Sequence, residues 1–250
     1  MRRFTLAFAL LSSSTAYAQS EIPATAAFAV PKDPSGQKVA ARVDAALKSR
    51  IGKIKGFRLL EPARILSGDP RTREEETLER ARAALADGRR AYDAMSLDNA
   101  IARLGQAVSL YEQTGPLLGD LAELQVALAH LAAALILQGS ADEGESAFVE
   151  LLTLAPGHQL QGFPPAVQSV FDQAVAKVDQ TPSGSVEVYS TPPYAAVYVD
   201  GRFEGVTPTT LEDLVAGKHF LRLEKNGYII HGAPLEIAAR QSITRQTRLL

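Results

Sequence analysis

Histidines are the side chains in this chain best suited to catalysis or metal binding, and the four of them stand far apart, at His130, His158, His219 and His231. None forms a helical pair such as HExxH, so a metal site would need distant segments to converge. The absence of cysteine excludes disulfides, thiolate nucleophiles and cysteine-based metal sites. No GxSxG, SxxK, phosphate-loop or GxGxxG motif occurs. We therefore expect a non-enzymatic protein without catalytic residues, metal or cofactor.

Charge and hydropathy exclude two further classes of function. The formal charge is −2 and no long run of Lys or Arg occurs, so nucleic acid is not an expected partner. The most apolar stretch, Leu121 to Leu137, is short for a membrane span and contains Glu123, Gln125 and His130. We interpret it as a buried helix and expect no transmembrane segment. The remaining class is recognition, which depends on the elements that position the binding residues.

Helical periodicity runs through residues 69–178. Apolar residues recur by threes and fours, first from Leu97 to Tyr111 and again from Leu121 to Leu135. These segments are separated by helix breakers, namely Gly115-Pro116, Gly139 and Pro156-Gly157. The pattern predicts antiparallel helix pairs joined by short loops.

This helical segment resembles degenerate tetratricopeptide (TPR) repeats, two-helix units of about 34 residues with small residues where the helices cross. The matching residues are Gly88, Tyr92, Ala100, Leu104 and Ala107 in a first unit and Leu128, Leu131, Leu135, Gly144, Phe148 and Pro156 in a second. A last helix over residues 165–178 would cap the array, since each unit needs a neighbour on both sides. A plain helical bundle is the alternative.

The resemblance implies a concave groove, lined by the first helix of each pair, that receives an extended or helical peptide. In the first unit the groove residues would be Arg82, Leu85, Arg89, Tyr92 and Asp93, and in the second Val126, Ala129, Ala133 and Ile136. A groove with two arginines and a tyrosine suits an acidic peptide terminus. Solvated surface residues are the alternative interpretation.

Residues 185–250 predict a small β domain after a linker over 179–184. Val186 and Val188 alternate with Glu187 and Tyr189, the two-residue period of a half-buried strand. Asp200-Gly201 supplies positive φ for a tight hairpin turn. The linker is short, so we expect the helical and β domains to touch.

The stretch YSTPPYAAVYVDG…GVTPTTL…GKH…NGY resembles a PEGA domain, a small antiparallel β-sandwich common in bacterial envelope proteins. The signature tetrapeptide is Pro193-Tyr194-Ala195-Ala196, with Ala195 in place of the usual glycine, and an alanine tolerates positive φ poorly. The resemblance implies binding or spacing without chemistry. Tyr189, Tyr194 and Tyr198 are predicted to share an exposed face of the kind found at glycan and protein contacts. The fold class expected is α+β.

The N-terminus predicts a cleaved signal peptide over residues 1–18. Arg2-Arg3 form a basic region, Phe4 to Leu11 an apolar region, and Ala16-Tyr17-Ala18 a cleavage site before Gln19. We therefore expect a periplasmic or secreted protein.

Residues 19–66 predict a strand–helix–strand lead-in that faintly resembles the amino-terminal domain of TolB. A strand is expected between Ala24 and Val30, and another around Gly56 to Leu60. The helix between them has Val39, Val43, Leu47 and Ile51 at helical spacing. A poorly ordered segment with one helix is the alternative.

Together these features predict an envelope adaptor or scaffold that binds a protein partner through the TPR-like helices and the PEGA-like domain. The alternative is a cell-wall or polysaccharide binding module in which the β domain binds and the helices act as a spacer.

Overall fold

The computed structural model describes residues 24–25, 29–31, 36–51, 54, 58–59 and 72–250. The predicted signal peptide and its cleavage site at Ala18/Gln19 lie outside these residues. The described chain has an α+β architecture, with helices in its N-terminal part and two sheets in its C-terminal part, as predicted. The helices are α1 (Gln37–Ile51), α2 (Thr72–Asp93), α3 (Leu97–Thr114), α4 (Ala122–Gln138), α5 (Ala141–Leu154) and α6 (Pro165–Asp179). The strands are β1 (Ala24–Thr25), β2 (Arg58–Leu59), β3 (Ser183–Thr191), β4 (Ala196–Val199), β5 (Arg202–Val206), β6 (Thr209–Val215), β7 (Gly217–Glu224), β8 (His231–Ile237) and β9 (Ser242–Arg248).

Helices α2 to α6 form an array in which each packs on the next along the chain. Helix α4 also contacts both α2 and α6, so these three lie side by side in one layer. Helices α3 and α5 pack behind them. Each helix thus packs on its neighbour in the chain, as the short connections between the helices predict.

Two glycines set the closest helix crossings. A Cβ atom at Gly88 would lie 2.6 Å from the Leu104 side chain, and one at Gly144 would lie 2.9 Å from the carbonyl oxygen of Ala132. Real Cβ atoms do not approach other atoms so closely, so only glycine permits these helix spacings. The small residues expected at the crossings are therefore where the sequence predicts them.

The helical core is rich in alanine and leucine and is closed at one end by α6. Val167, Phe171, Ala174 and Val178 of α6 are buried, and the Phe171 ring meets the Phe148 ring at 5.1 Å. The face of α6 that is buried is the one expected of a capping helix.

The β domain packs a three-stranded sheet, in the order β6-β3-β9, on a four-stranded sheet, in the order β5-β4-β7-β8. Valines and leucines from both sheets fill the space between them. Strand β9 runs parallel to β3, whereas the other strand pairs of the sandwich are antiparallel, as predicted. Strand β3 begins at Ser183, which pairs with Val215. The last two residues of the predicted linker, Ser183 and Gly184, therefore belong to the sheet.

Residues with positive φ set two turns of the sandwich. Asp200 (φ 50°) and Gly201 (φ 78°) connect β4 to β5, as the sequence predicts. In the signature tetrapeptide the residue with positive φ is Tyr194, at 64°, rather than Ala195. Ala195 is instead fully buried in the sandwich core.

The β domain and the helical array share a core. The Phe220 side chain of β7 is buried among helical residues and faces Gly115, where an added Cβ would lie 3.1 Å from its ring. Gly232 of β8 meets the carbonyl oxygen of Pro116, and the Lys218 ammonium pairs with Glu112 of α3. We call the contact formed by Phe220, Gly115, Pro116 and Gly232 the apolar contact.

The N-terminal segment forms β1, α1 and β2, with β1 parallel to β2. Helix α1 lies on the four-stranded sheet through Ala45, which packs with Ala196 and Tyr198. The apolar residues that predicted this helix lie largely on its other side, because Val39 is 46% exposed and Val43 is 36% exposed.

None of the helices in the described ranges is long and apolar enough to cross a membrane.

Candidate partner-binding surface

Helix α2 carries the residues expected in the groove, and the structure divides them. Arg82 lies on the N-terminal half of the helix, where its Nε donates to both carboxylate oxygens of Glu123 at 3.1 Å. It also pairs with Glu79 at 3.0 Å. Arg82 lines a cleft of about 350 Å³ beside Leu118, Gly119 and Asp120. Two carboxylates thus neutralise the charge of Arg82. The other exposed residues predicted for the groove lie further along the same helix.

Leu85 does not line a groove, because it is buried in the helical core. The same holds on α4 for Ala129 and Ala133, which are buried, whereas Val126 and Ile136 are half-buried. These residues face neighbouring helices because the array is tightly packed there. Leu85, Ala129 and Ala133 are therefore part of the helical core, whereas Val126 and Ile136 stay partly exposed.

The C-terminal half of α2 presents a different surface. Tyr92 is half-buried, and its ring meets the rings of His130 on α4 at 5.6 Å and Phe163 at 6.2 Å. The His130 and Phe163 rings lie 5.2 Å apart. All three pairs have edge-to-face geometry, which is favourable for aromatic rings. We call Tyr92, His130 and Phe163 the aromatic patch.

Three separate elements build the aromatic patch, namely α2, α4 and the segment that leads into α6. Phe163 directly precedes Pro164, the N-cap residue of α6, and packs against the helical core. Each of the three rings is half-buried. The patch therefore offers a fixed apolar surface that remains partly open to solvent.

The electrostatics of the patch make it a neutral surface with a charged rim. Burial lowers the pKa of His130, and the positive charge of Arg89 acts in the same direction. The His130 ring is thus neutral at neutral pH, with Nδ1–H donating to the Val126 carbonyl at 2.8 Å, and Nε2 is left as an acceptor. Burial and the Asp93 carboxylate raise the pKa of Tyr92. Arg89 and Asp93, both exposed, supply charges of opposite sign beside the rings.

The sequence analysis identified Tyr92, Arg89 and Asp93 but missed His130 and Phe163 as members of the site. His130 is surrounded by leucines and alanines in the sequence, so nothing distinguishes it from a core residue. Phe163 lies in an irregular segment between two helices, for which periodicity makes no prediction. The available signal in the sequence was an aromatic residue directly before Pro164.

The three tyrosines of the β domain do not share a face. Tyr189 is 42% exposed on the outer face of β3, where its hydroxyl donates to Glu187 at 3.2 Å. Tyr194 lines a cleft of about 160 Å³ between α1 and the sheet. Tyr198 is buried beneath the Arg222 guanidinium, whose carbon lies 4.3 Å from the ring centroid, so the expectation that it is exposed was wrong.

The reason for the burial of Tyr198 is the contact with α1. The Lys48 ammonium lies 3.0 Å from Glu224 and 3.3 Å from Asp44, and Glu224 also accepts from Arg222. Burial alone would lower the pKa of Lys48, but Glu224 and Asp44 raise it above its usual value. We call Asp44, Lys48, Tyr198, Arg222 and Glu224 the polar contact.

No group of three or more His, Asp or Glu side chains in the described part of the chain is arranged to hold a metal ion. His219, which the sequence analysis interpreted as structural, is buried beside Asp200, with Nδ1 at 2.7 Å from the carboxylate. Its Nε2 lies 2.8 Å from the Val215 carbonyl. These bonds tie the hairpin turn to β7.

Comparison with known families identifies the β domain. Residues 183–249 match the PEGA domain, so this part of the expected resemblance is confirmed. No curated protein matches the chain.

Proposed function

We propose that the protein is a non-enzymatic adaptor of the bacterial cell envelope, in which the TPR-like helices bind a protein partner and the PEGA domain positions the complex. The observation that carries the proposal is the aromatic patch. It combines a rigid apolar surface with flanking charges at Arg89 and Asp93, and such surfaces supply the anchoring residues of protein interfaces.

The partner chemistry that fits is an apolar or aromatic side chain flanked by polar groups. Such a side chain would pack on the aromatic patch, while a carboxylate of the partner pairs with Arg89 and a donor reaches His130 Nε2. Interfaces of this kind concentrate their binding energy in a few aromatic and arginine residues.

The apolar contact supports the second half of the proposal. Since Phe220 lies in the helical core, the PEGA domain cannot swing freely relative to the aromatic patch. A partner bound on the helices is thus held at a set position relative to whatever the PEGA domain contacts. The PEGA domain and the predicted signal peptide together favour an envelope location.

The test is crosslinking in intact cells followed by mass spectrometry of the co-purified proteins. We expect a defined protein partner with the unaltered chain and its loss with Arg89→Glu/Tyr92→Ala. The matched control is Arg103→Glu, which makes the same charge change on α3, where Arg103 is exposed. If the partner co-purifies as well with Arg89→Glu/Tyr92→Ala as with Arg103→Glu, the proposed site on the helices is refuted.

The wall-binding alternative is tested with the same variants. Purified mature protein is mixed with peptidoglycan and pelleted, with Tyr189→Ser added because Tyr189 is the exposed tyrosine of β3. Suppose that the protein co-pellets, that Tyr189→Ser abolishes this co-pelleting and that Arg89→Glu/Tyr92→Ala does not. The function would then belong to the β domain, with the helices as a spacer.

A further inference from the structure

In the part of the chain that the structure describes, strand β9 forms an edge of the three-stranded sheet, and one side of its backbone pairs with no other strand. The Gln241 carbonyl accepts from Ser185 of β3, and the Leu249 N–H donates to Thr191 of β3. Successive residues of a strand point their backbone groups to opposite sides. The N–H and C=O groups of Thr244, Gln246 and Arg248 therefore point away from β3. We call these backbone groups the open edge.

The other three edges of the sandwich are obstructed. Strand β8 contains Pro234 and lies against the 3₁₀ turn Gly115–Leu117, and β5 lies against α1. Strand β6 pairs irregularly with β3 and has Asp213 at φ 58°. A proline, a covering element or an irregularity is how proteins ordinarily prevent pairing at an edge.

Within the described residues no second strand pairs with β9, and the nearest such backbone bond comes after the strand ends, where the Ile229 N–H donates to the Leu250 carbonyl. Strand β9 contains no proline, and its register with β3 is unbroken from Ser242 to Arg248. At 7 residues, β9 is long enough to form a ladder with an added strand.

The charges around β9 specify what would pair with it. Arg240, Arg245 and Arg248 are exposed, and within the described residues none of them forms an ion pair. Because residues of opposite parity face opposite sides of a strand, Arg245 and Arg248 flank the open edge on both faces of the sheet. An added strand would thus meet a positive charge on either face. The β6 edge, by contrast, carries Glu212 and Asp213.

We propose that the open edge of β9 is a second binding site, which takes an extended acidic segment of a partner protein by β-strand addition. The backbone groups of Thr244, Gln246 and Arg248 supply affinity, and the arginines select acidic side chains. A second copy of this chain is a poor occupant, since two β9 edges would bring like charges together.

The experiment uses the full mature chain and a fluorescein-labelled peptide in which glutamate alternates with valine over the length of β9. Fluorescence anisotropy gives the dissociation constant. A peptide with lysine in place of glutamate controls for charge, and one with proline in place of valine controls for backbone pairing. We expect measurable binding of the first peptide alone, weakened by salt.

Two variants separate backbone pairing from charge. Gln246→Pro removes an N–H of the open edge without removing a bond to β3, and Gln246→Ala is its matched control. We expect binding about tenfold weaker for Gln246→Pro, because a buried carbonyl of the peptide loses its donor, and unchanged binding for Gln246→Ala. Arg245→Glu/Arg248→Glu should also weaken binding about tenfold, unlike Arg80→Glu/Arg103→Glu on the helices. Circular dichroism checks that each variant is folded.

Three results would overturn the proposal. They are failure of the acidic peptide to bind, binding that Gln246→Pro leaves unchanged, and a dimer of the unaltered chain that Gln246→Pro disrupts. Peptide binding at the open edge does not involve the aromatic patch. The Arg89→Glu/Tyr92→Ala variant should therefore bind the peptide as tightly as the unaltered chain does.

Discussion

The outer face of the four-stranded sheet meets two parts of the protein, and the two contacts differ in chemistry. Phe220 of β7 and Gly232 of β8 form the apolar contact with the helical array. Arg222 and Glu224 of β7 and Tyr198 of β4 form the polar contact with α1. Alternate residues of the same strand, β7, supply both. Close-packed apolar surface stabilises a contact directly, whereas the attraction within a buried cluster of charges is largely offset by the cost of removing the charges from water.

The largest effect is expected from Phe220→Ala. Removing a buried ring leaves a cavity between the domains, so the free energy of unfolding should fall by about 4 kcal/mol. Urea unfolding followed by circular dichroism measures it. The control is Phe203→Ala on β5 of the same sheet, where the side chain is 38% exposed and the loss should be about 1 kcal/mol or less. Equal losses would show that the apolar contact does not stabilise the protein.

The next largest loss of stability is expected from Gly232→Ala. The added Cβ would lie 2.5 Å from the Pro116 carbonyl oxygen, so β8 or the 3₁₀ turn has to shift. We expect a loss of about 2 kcal/mol in the same unfolding measurement. Gly105→Ala on α3 is the matched control, because nothing lies within 4 Å of its added Cβ. Alanine there should be neutral or slightly stabilising.

A titrating carboxyl lies at the rim of the apolar contact. Burial and the Glu112 carboxylate raise the pKa of Glu150 to about 7. Since this pKa is raised in the folded state, the folded protein holds a proton that the unfolded chain releases. The resulting stabilisation is complete below the ordinary glutamate pKa and is lost as pH rises toward 7.

We therefore expect the free energy of unfolding to fall by about 1–2 kcal/mol between acidic and neutral pH. Glu150→Gln, which stays neutral, should remove most of this dependence. Urea unfolding at a series of pH values measures it. An unchanged pH profile in Glu150→Gln would assign the dependence to another group.

The smallest effect on stability is expected at the polar contact. Lys48→Ala leaves each carboxylate with another partner, because Glu224 still accepts from Arg222 and Asp44 still accepts from the Ala29 N–H. We therefore expect the loss to be confined to α1 and to amount to about 1 kcal/mol. Hydrogen exchange should show faster exchange of α1 amides and unchanged exchange in β7. Lys38→Ala, an exposed change on the same helix, should have no effect. Faster exchange throughout the sandwich would mean that the polar contact stabilises the whole domain.

Local patterns predicted the elements well because each is determined by neighbouring residues. Helix breakers separated the helices, and Asp200-Gly201 identified a hairpin turn because few residues adopt its positive φ. The resemblance to TPR repeats predicted small residues at the helix crossings, and Gly88 and Gly144 lie at close contacts between helices. The PEGA domain was recognisable from its motif, and the match over residues 183–249 agrees.

The candidate site was only partly predictable. Tyr92 was identified from its helical face, but His130 and Phe163 join it from distant positions in the chain. Leu85 shares that helical face and is buried nonetheless, since burial depends on the neighbouring helix and not on periodicity. Tyr198 was expected to be exposed, and α1 covers it.

The sequence by itself determined the order of helices and strands, the tight turns and the PEGA motif, because these depend on interactions between residues close in the chain. The tertiary structure alone decided which faces meet. It placed Phe220 in the helical core, covered Tyr198 with α1, turned Val39 outward, and, among the described strands, left β9 at an edge of its sheet. The physical reason is that burial and backbone pairing at these positions are set by residues far away in the sequence, about which local spacing carries no information.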